Sequence, residues 1–298
     1  MAKRKNAIRR STGENVFGVF NVAFMVFMCV ITLYPFLYVI FASISAPAKL
    51  MAHSGLLFGP KGFSTAAYTA VLNNPRIWTG YGNTIFYVVA GTAVNIVMTV
   101  LASYGLSRKN VMFTRYITVM IVFTMYFSGG LIPSYLLIRN LGLMDTRWAI
   151  ILPGALSTYN MIIMRTAMAG VPDSLEESAI LDGATKIQVL IRIMIPLILP
   201  TIAVIVLYYG VGHWNSWFSA SIYLQRSADK HPLQLYLRQI LISNQMGDMA
   251  GGASDDQVML GETIKYATII IATVPILLLY PFLQKYFVKG VMVGSLKG

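Results

Sequence analysis

Four carboxylates, Asp173, Glu176, Glu177 and Asp182, fall within ten residues of the stretch PDSLEESAILDGATKIQVLIRIMIPLILP (172–200), in a chain with only 11 acidic residues. That is a third of the chain's acid in one short segment of a chain that is greasy nearly everywhere. The three histidines (His53, His213, His231) are scattered, so no metal site is expected. The chain has no H-E-x-x-H and no G-x-x-x-x-G-K-[ST], so no metalloprotease helix and no phosphate loop of its own. The single cysteine, Cys29, lies in an apolar run, which rules out an intrachain disulfide and reads as a buried small residue. The acids read as part of a short amphipathic helix. Pro172 suits a helix start, and Asp173 followed by Glu176 has the spacing of a capping box with Asp as the cap. Acids in a first turn favour the positive helix end. Leu175, Ala179 and Ile180 fall on one face, and Glu176, Glu177 and Ser178 towards another. Gly183 then permits a left-handed turn or a close backbone approach, and a second helical pattern (Ala184, Ile187, Leu190 or Ile191, Met194) runs on through Pro196 and Pro200. No Lys or Arg occurs from Pro172 to Thr185, which disfavours an anionic lipid surface and suits a helix docking into a basic partner groove.

The elements that must hold this stretch are apolar. Of 298 residues, 56% are hydrophobic and 11% charged, against about 25% charged in soluble domains, and the mean hydropathy is +0.66. Six segments are long enough to cross a bilayer: Val16–Ser43, Thr84–Leu106, Tyr116–Ile132, Ala149–Met164, Ile193–Tyr209 and Tyr266–Leu283. The third and fourth are short and carry Gly or Pro (Gly129, Gly130, Pro133; Pro153, Gly154), which predicts irregular helix ends. The first is too long for a cleaved signal and reads as a retained span. The pieces 1–15, 107–115, 165–192 and 284–298 hold 14 of the 23 Lys and Arg in less chain than the three remaining loops, so both termini are predicted to be cytoplasmic. The net charge of +12 is then a topology signal, and nucleic-acid binding is not needed to explain it. No Asp, Glu, Lys, Arg or His lies inside the six segments, which argues against proton coupling and voltage sensing. Sodium coupling through unwound backbone stays open, so an ion-coupled secondary transporter or channel is the alternative reading. Asn95, mid-span, reads as interhelical glue. The stretch QMGDMAGGASDDQ is Gly-rich and reads as a mobile loop.

At this point the sequence resembles a family. Glu177, Ser178, Ala179 and Gly183, followed by Ile193 and Ile195–Pro196, are similar to the cytoplasmic signature E-A-A-x-x-x-G-x9-I-x-L-P of ABC importer permeases. Ser178 replaces the second residue and Ile195 stands where Leu is common. GNTI (82–85) resembles the start of the family's second span, WNSWF (214–218) its W-N motif after the fifth, and GVMVGSLKG (290–298) the C-terminal tail of maltose-type carbohydrate permeases. Within that family the chain looks most like the LplC-type permeases of oligosaccharide and polysaccharide-fragment importers.

The resemblance implies an all-α, six-helix permease of type I fold in the bacterial cytoplasmic membrane. Its parts would be a basic N-terminus (1–15), a transmembrane domain (16–289) with a coupling loop (170–192) and an extracellular loop (219–263), and a cytoplasmic tail (290–298). It implies a non-catalytic subunit with no cofactor of its own, ATP and Mg being held by two partner ATPase subunits. The other implied partners are a second permease, an extracellular solute-binding protein or lipoprotein, and an oligosaccharide. Leu175, Glu176, Glu177, Ala179, Ile180, Asp182 and Gly183 would meet the ATPase groove, with Glu177 facing a basic residue there. Gly294, Ser295 and Lys297 of the tail would reach the ATPase interface, and the loop 219–263 would enter the binding-protein cleft. Tyr159, Asn160, Trp214, Asn215 and Trp217 offer aromatic faces and amides for a sugar pathway, although Trp and Tyr also gather at membrane interfaces as anchors.

Overall fold

The computed structural model describes residues 11–108, 111–250 and 260–278. Residues 1–10 and 109–110, part of the expected extracellular loop (251–259), the end of the sixth predicted span and the tail with Gly294, Ser295 and Lys297 lie outside the described residues. The chain is helical, and among the described residues the only strand-like pairing is an isolated antiparallel bridge between Ser45 and Phe63. In chain order the helices are α1 (Thr12–Ser43), α2 (Pro47–Met51), α3 (Ala66–Leu72), α4 (Pro75–Ser107), α5 (Thr114–Tyr126), α6 (Leu131–Asn140) and α7 (Trp148–Ile151). There follow α8 (Thr158–Ala169), α9 (Asp173–Leu181), α10 (Lys186–Leu197), α11 (Leu199–Trp214), α12 (Phe218–Tyr223), α13 (Leu233–Ala250) and α14 (Leu260–Leu278).

Three helices, α1, α4 and α14, are long and apolar enough to cross a membrane. Two bent pairs, α5 with α6 (112°) and α10 with α11 (85°), would raise the number to five. The predicted third span is therefore broken at Gly129–Gly130, where Gly130 takes φ 87°. The predicted fourth, Ala149–Met164, is divided into α7 and α8 by an irregular stretch around Pro153–Gly154. The fifth continues past Tyr209 to Trp214, which carries His213 into a helix rather than the outer loop expected for it.

The contacts divide the chain into two units, residues 1–71 with 244–271, and 72–243 with 272–298. In the first, α1 begins at a reciprocal cap: Ser11 N donates to Glu14 Oε2 at 2.8 Å and Glu14 N to Ser11 Oγ at 3.3 Å. Its apolar side chains are exposed all round, Phe17 by 68% and Val30 by 61%, as a helix solvated by lipid requires. Cys29 shares this exposure and is not the buried residue expected. Ala42, Leu50 and Leu57 form a small core with Tyr38, Phe41 and Tyr266 around them.

In the second unit, α4, α8, α10 and α11 share a core of Val100, Met164, Met168, Val189, Leu190, Met194, Ile198, Ile202, Ile205 and Tyr209. A polar stripe runs down α4 at four-residue spacing. Asn95 Nδ2 donates to Gly154 O at 2.6 Å, Thr99 Oγ1 meets Tyr209 Oη at 2.8 Å, and Ser103 Oγ donates to Met161 O at 3.0 Å. Tyr209 Oη also accepts from Ser157 N at 3.0 Å. The backbone groups freed between α7 and α8 are thus bonded by neighbouring helices, as non-helical backbone at membrane depth demands. A π turn at Tyr87–Gly91 interrupts α4. A Cβ at Gly91 would come within 2.5 Å of the His213 ring, so only glycine leaves room for the imidazole, whose Nε2 lies 2.7 Å from Asn95 Oδ1.

Two substitutions test this core. Gly91→Ala should destabilise the protein by about 1–3 kcal/mol through overpacking, and Thr99→Val by about 0.6–1.7 kcal/mol through the lost interhelical bond. Thermal unfolding of the detergent-solubilised protein should order them wild type, Thr99→Val, Gly91→Ala.

Candidate functional site

The acidic stretch folds as a helix, a glycine turn and a second helix. Pro172 is the N-cap of α9 and Asp173 its first residue. The expected capping box with Asp173 as the cap therefore does not form, because the helix starts one residue earlier and Glu176 is used elsewhere. Glu176 Oε1 accepts from Tyr104 Oη at 3.1 Å, and its other oxygen pairs with Arg108 Nη1. The second terminal nitrogen of Arg108 donates to Met168 O at 3.1 Å, and its guanidinium lies 5.3 Å from the Tyr104 ring centroid. Both partners of the pair are about seven-eighths buried (15% and 13% exposed), so removing either one would leave the other charge buried and uncompensated. The pair clasps α9 to the end of α4.

The C-terminus of α9 is closed by two bonds, Ala184 N to Ala179 O at 2.9 Å and Gly183 N to Ile180 O at 3.0 Å. This is the Schellman pattern, with the glycine one residue past the cap. Gly183 has φ +86° and open space where a Cβ would stand, so the turn needs glycine for its backbone and not for a close approach. A reciprocal cap then starts α10: Thr185 N donates to Gln188 Oε1 at 2.8 Å, and Gln188 N to Thr185 Oγ1 at 3.4 Å. The spacing T-x-x-Q was the signal for it.

The four acids thus have different roles. Asp173 and Glu176 occupy the first turn, where the helix dipole favours them. Glu177 is exposed and has no hydrogen bond or ion pair among the described residues. Asp182 is exposed at the C-cap, the end the dipole disfavours for an acid. The expected apolar face is divided as well. Leu175 and Ile180 are each 44% exposed, while Ala179 packs on the core of its own unit. Leu181, at 88%, is a further exposed apolar side chain that the pattern missed.

A second group of residues lies at the other end of α4. Asn83 Nδ2 donates to Asp229 O at 2.6 Å and His231 O at 3.1 Å, Tyr87 Oη to Lys230 O at 2.9 Å, and Leu233 N to Thr84 Oγ1 at 2.9 Å. The GNTI motif therefore bolts the segment 229–233 to α4. Asp145, at φ 60°, holds the same segment from the other side through Arg226 N (2.7 Å) and Lys230 Nζ (2.7 Å).

Of the residues expected to line a sugar path, Trp214 belongs to an aromatic row with Tyr81 and the exposed Trp78, ring centroids 6.3 and 6.1 Å apart. Its buried indole N–H has no partner among the described residues. Trp217 is covered by the Arg238 guanidinium, 3.5 Å from its centroid, and offers no free face. Asn215 is exposed at the C-cap of α11. Tyr159 and Asn160 open α8, Tyr159 exposed and Asn160 buried. Among the described residues no three His, Cys, Asp or Glu side chains gather as a metal site.

Apolar spans with lipid-facing surfaces, a broken helix bonded from its neighbours and an acidic helix projecting from them define a polytopic transport subunit. Residues 6–293 match the family described as binding-protein-dependent transport system inner membrane component. Over 293 residues the chain is 43% identical to protein LplC of Bacillus subtilis (strain 168), covering 98% of this chain and 99% of the relative. Over 287 residues it is 40% identical to the polygalacturonan/rhamnogalacturonan transport system permease protein YtcP of the same organism, covering 96% and 99%. A chain in the crystal structure of a bacterial ABC transporter involved in the import of the acidic polysaccharide alginate superposes with a TM-score of 0.85 at 32% identity, over 94% of this chain and all of that one. The protein belongs to this family of inner-membrane permease subunits.

Gly183→Ala places a side chain in the left-handed region and should cost about 1–2 kcal/mol, whereas Gly183→Asn should cost less because Asn tolerates that region. Chemical denaturation of the two variants side by side measures the difference.

Proposed function

We propose that this chain forms half of the translocation pathway of an ATP-driven importer of acidic oligosaccharides. It spans the membrane six times with both termini in the cytoplasm, and α9 is the coupling helix. The loop 219–263 faces the solute-binding protein. The single observation that carries the coupling assignment is the division of the acids. Glu176 is consumed in the chain, while Glu177 and Asp182 stand exposed on the same short helix with no use in its fold. A basic groove on an ATPase subunit supplies the missing partner. Movement of α9 with the ATPase dimer would tip the spans between inward-facing and outward-facing states, a rigid-body switch. ATP and Mg belong to that partner, and a second permease completes the path.

The substrate class is supported by the relatives whose names give polygalacturonan, rhamnogalacturonan and alginate, all acidic polymers, and by the residues of the outer end. In the row Trp78–Tyr81–Trp214, the exposed Trp78 and the half-buried Tyr81 offer stacking faces, and Trp214 a buried donor. Near the same end of α4 a cavity of about 480 Å³ is lined by Arg76, Thr79, Asp229, Tyr236 and Gln239; Arg76 offers a cation to a uronate carboxylate and Asp229 an acceptor to sugar hydroxyls. A solitary ion-coupled carrier would need none of the exposed acid on α9.

Reconstitution with the partner subunits in proteoliposomes tests the reading. ATP-dependent uptake of oligogalacturonate should fall at least about tenfold in Glu177→Lys, with loss of ATPase co-purification. Tyr81→Ala should lose about 1 kcal/mol of aromatic contact, raising KM about fivefold and leaving ATPase assembly intact. Uptake that persists without ATP would overturn the importer assignment. Equal uptake of neutral oligosaccharides would overturn the acidic substrate class.

A further inference from the structure

We propose that the cavity between the end of α4 and the first turn of α5 binds the phosphate of an anionic phospholipid in the cytoplasmic leaflet. The leaflet rests on the proposed orientation; the chemistry of the site does not. The cavity has a volume of about 670 Å³ and is lined by Arg108, Arg115 and Arg165, the turn Val111–Phe113, and Tyr116.

The three cations are not equivalent. Arg108 is committed to Glu176 and Met168 O. Arg165 donates its Nε to Leu106 O at 2.7 Å, which fixes the guanidinium and leaves its terminal nitrogens without a partner among the described residues. Arg115 is exposed and has no hydrogen bond or ion pair among them. Two guanidinium groups therefore line one cavity with no counter-charge of their own, in the fork geometry that suits phosphate oxygens.

The backbone adds to this. Phe113 takes φ 62° and ψ 12°, a conformation bulky side chains rarely adopt, and it supplies no side-chain cap to α5. The open N-terminus of this 13-residue helix favours an anion at the same place. The turn also sets Met112 and Phe113 outward, 76% and 64% exposed, beside the arginines.

The surroundings decide between a lipid and an acidic protein. Helix α5 buries none of its residues, and Tyr116, Val119, Met120 and Phe123 are all more than half exposed. A helix this apolar with no fully buried residue is a membrane span, and the exposed face that Tyr116, Val119, Met120 and Phe123 present meets acyl chains wherever the second permease does not cover it. A cavity at its first turn then lies at the depth of the headgroups, where basic pockets between spans take anionic lipid. The apolar fringe would hold the chains and the two arginines the phosphate.

The test uses the assembled permease complex in nanodiscs of pure phosphatidylcholine or with three parts in ten phosphatidylglycerol, followed by native mass spectrometry of retained lipid. Wild type should retain phosphatidylglycerol on this chain in preference to phosphatidylcholine. Arg115→Gln should reduce that preference about fivefold, and Arg115→Gln with Arg165→Gln further, in keeping with about one such step per surface cation. Arg139→Gln, at the end of α6, should leave it unchanged. Unchanged retention in both arginine variants would overturn the site. Retention of inorganic phosphate by wild type in phosphatidylcholine discs, lost in the same arginine variants, together with its displacement of phosphatidylglycerol from the mixed discs, would make it a free-anion site and overturn the lipid assignment. Labelling of Met112→Cys, in a Cys29→Ser background, by an impermeant maleimide from outside intact cells would overturn the leaflet. None of these readouts involves transport, so a failed uptake assay and a failed lipid site are separate results.

Discussion

Backbone at membrane depth must be hydrogen-bonded by protein, and the second unit is organised around one place where a helix fails to do this for itself. Between Ile151 and Thr158 the chain leaves helical geometry at a proline and a glycine. Asn95, Thr99 and Ser103 form one row on α4: Asn95 and the Thr99 partner Tyr209 supply bonds that the break lacks, to Gly154 O and Ser157 N, and Ser103 bonds Met161 O just beyond it. Once that row is engaged, α4, α8 and α11 are fixed in mutual register. The apolar core of methionines and isoleucines then fills the space beside it. His213 closes the same network from α11, and its ring occupies the space that Gly91 leaves at a π turn.

The acidic helix obeys a different constraint. A nine-residue helix has little stability of its own, so it must be capped, closed and tied. The acids of its first turn complement its N-terminus, the Schellman turn at Gly183 closes its other end, and the clasp to Arg108 ties it down. What remains exposed after they are satisfied, Leu175, Glu177, Ile180, Leu181 and Asp182, is surface that the fold does not require.

Much of this was legible in the sequence where the signal is local. The apolar segments, the turn at Gly183 and the short helix before it follow from spacing alone, and the family signature sits on them. The missing parts are long-range. Arg108 and Glu176 are 68 residues apart, and nothing in either neighbourhood announces the other, so Glu176 was grouped with the free acids. Hydropathy ended the fifth span at Tyr209 because GVGHW dilutes the apolar window, yet packing on α4 extends the helix through His213. The face assigned to Ala179 failed for a related reason: a small residue is as suited to lying close against its own core as to meeting a partner, and periodicity does not distinguish the two. Trp217 was read as a stacking face because Arg238, which covers it, lies 21 residues on.

Helix α4 runs for 33 residues, about 50 Å at 1.5 Å per residue, more than the roughly 30 Å of a hydrocarbon core. Its first turns are bolted to the segment 229–233 by Asn83, Thr84 and Tyr87, and the residue after its last turn grips Glu176. One rod therefore carries the segment 229–233 at one end and the acidic helix at the other. The polar row in its second half ties it to α11 and to the chain at α8, so its two ends are joined by continuous helix and not by a flexible loop.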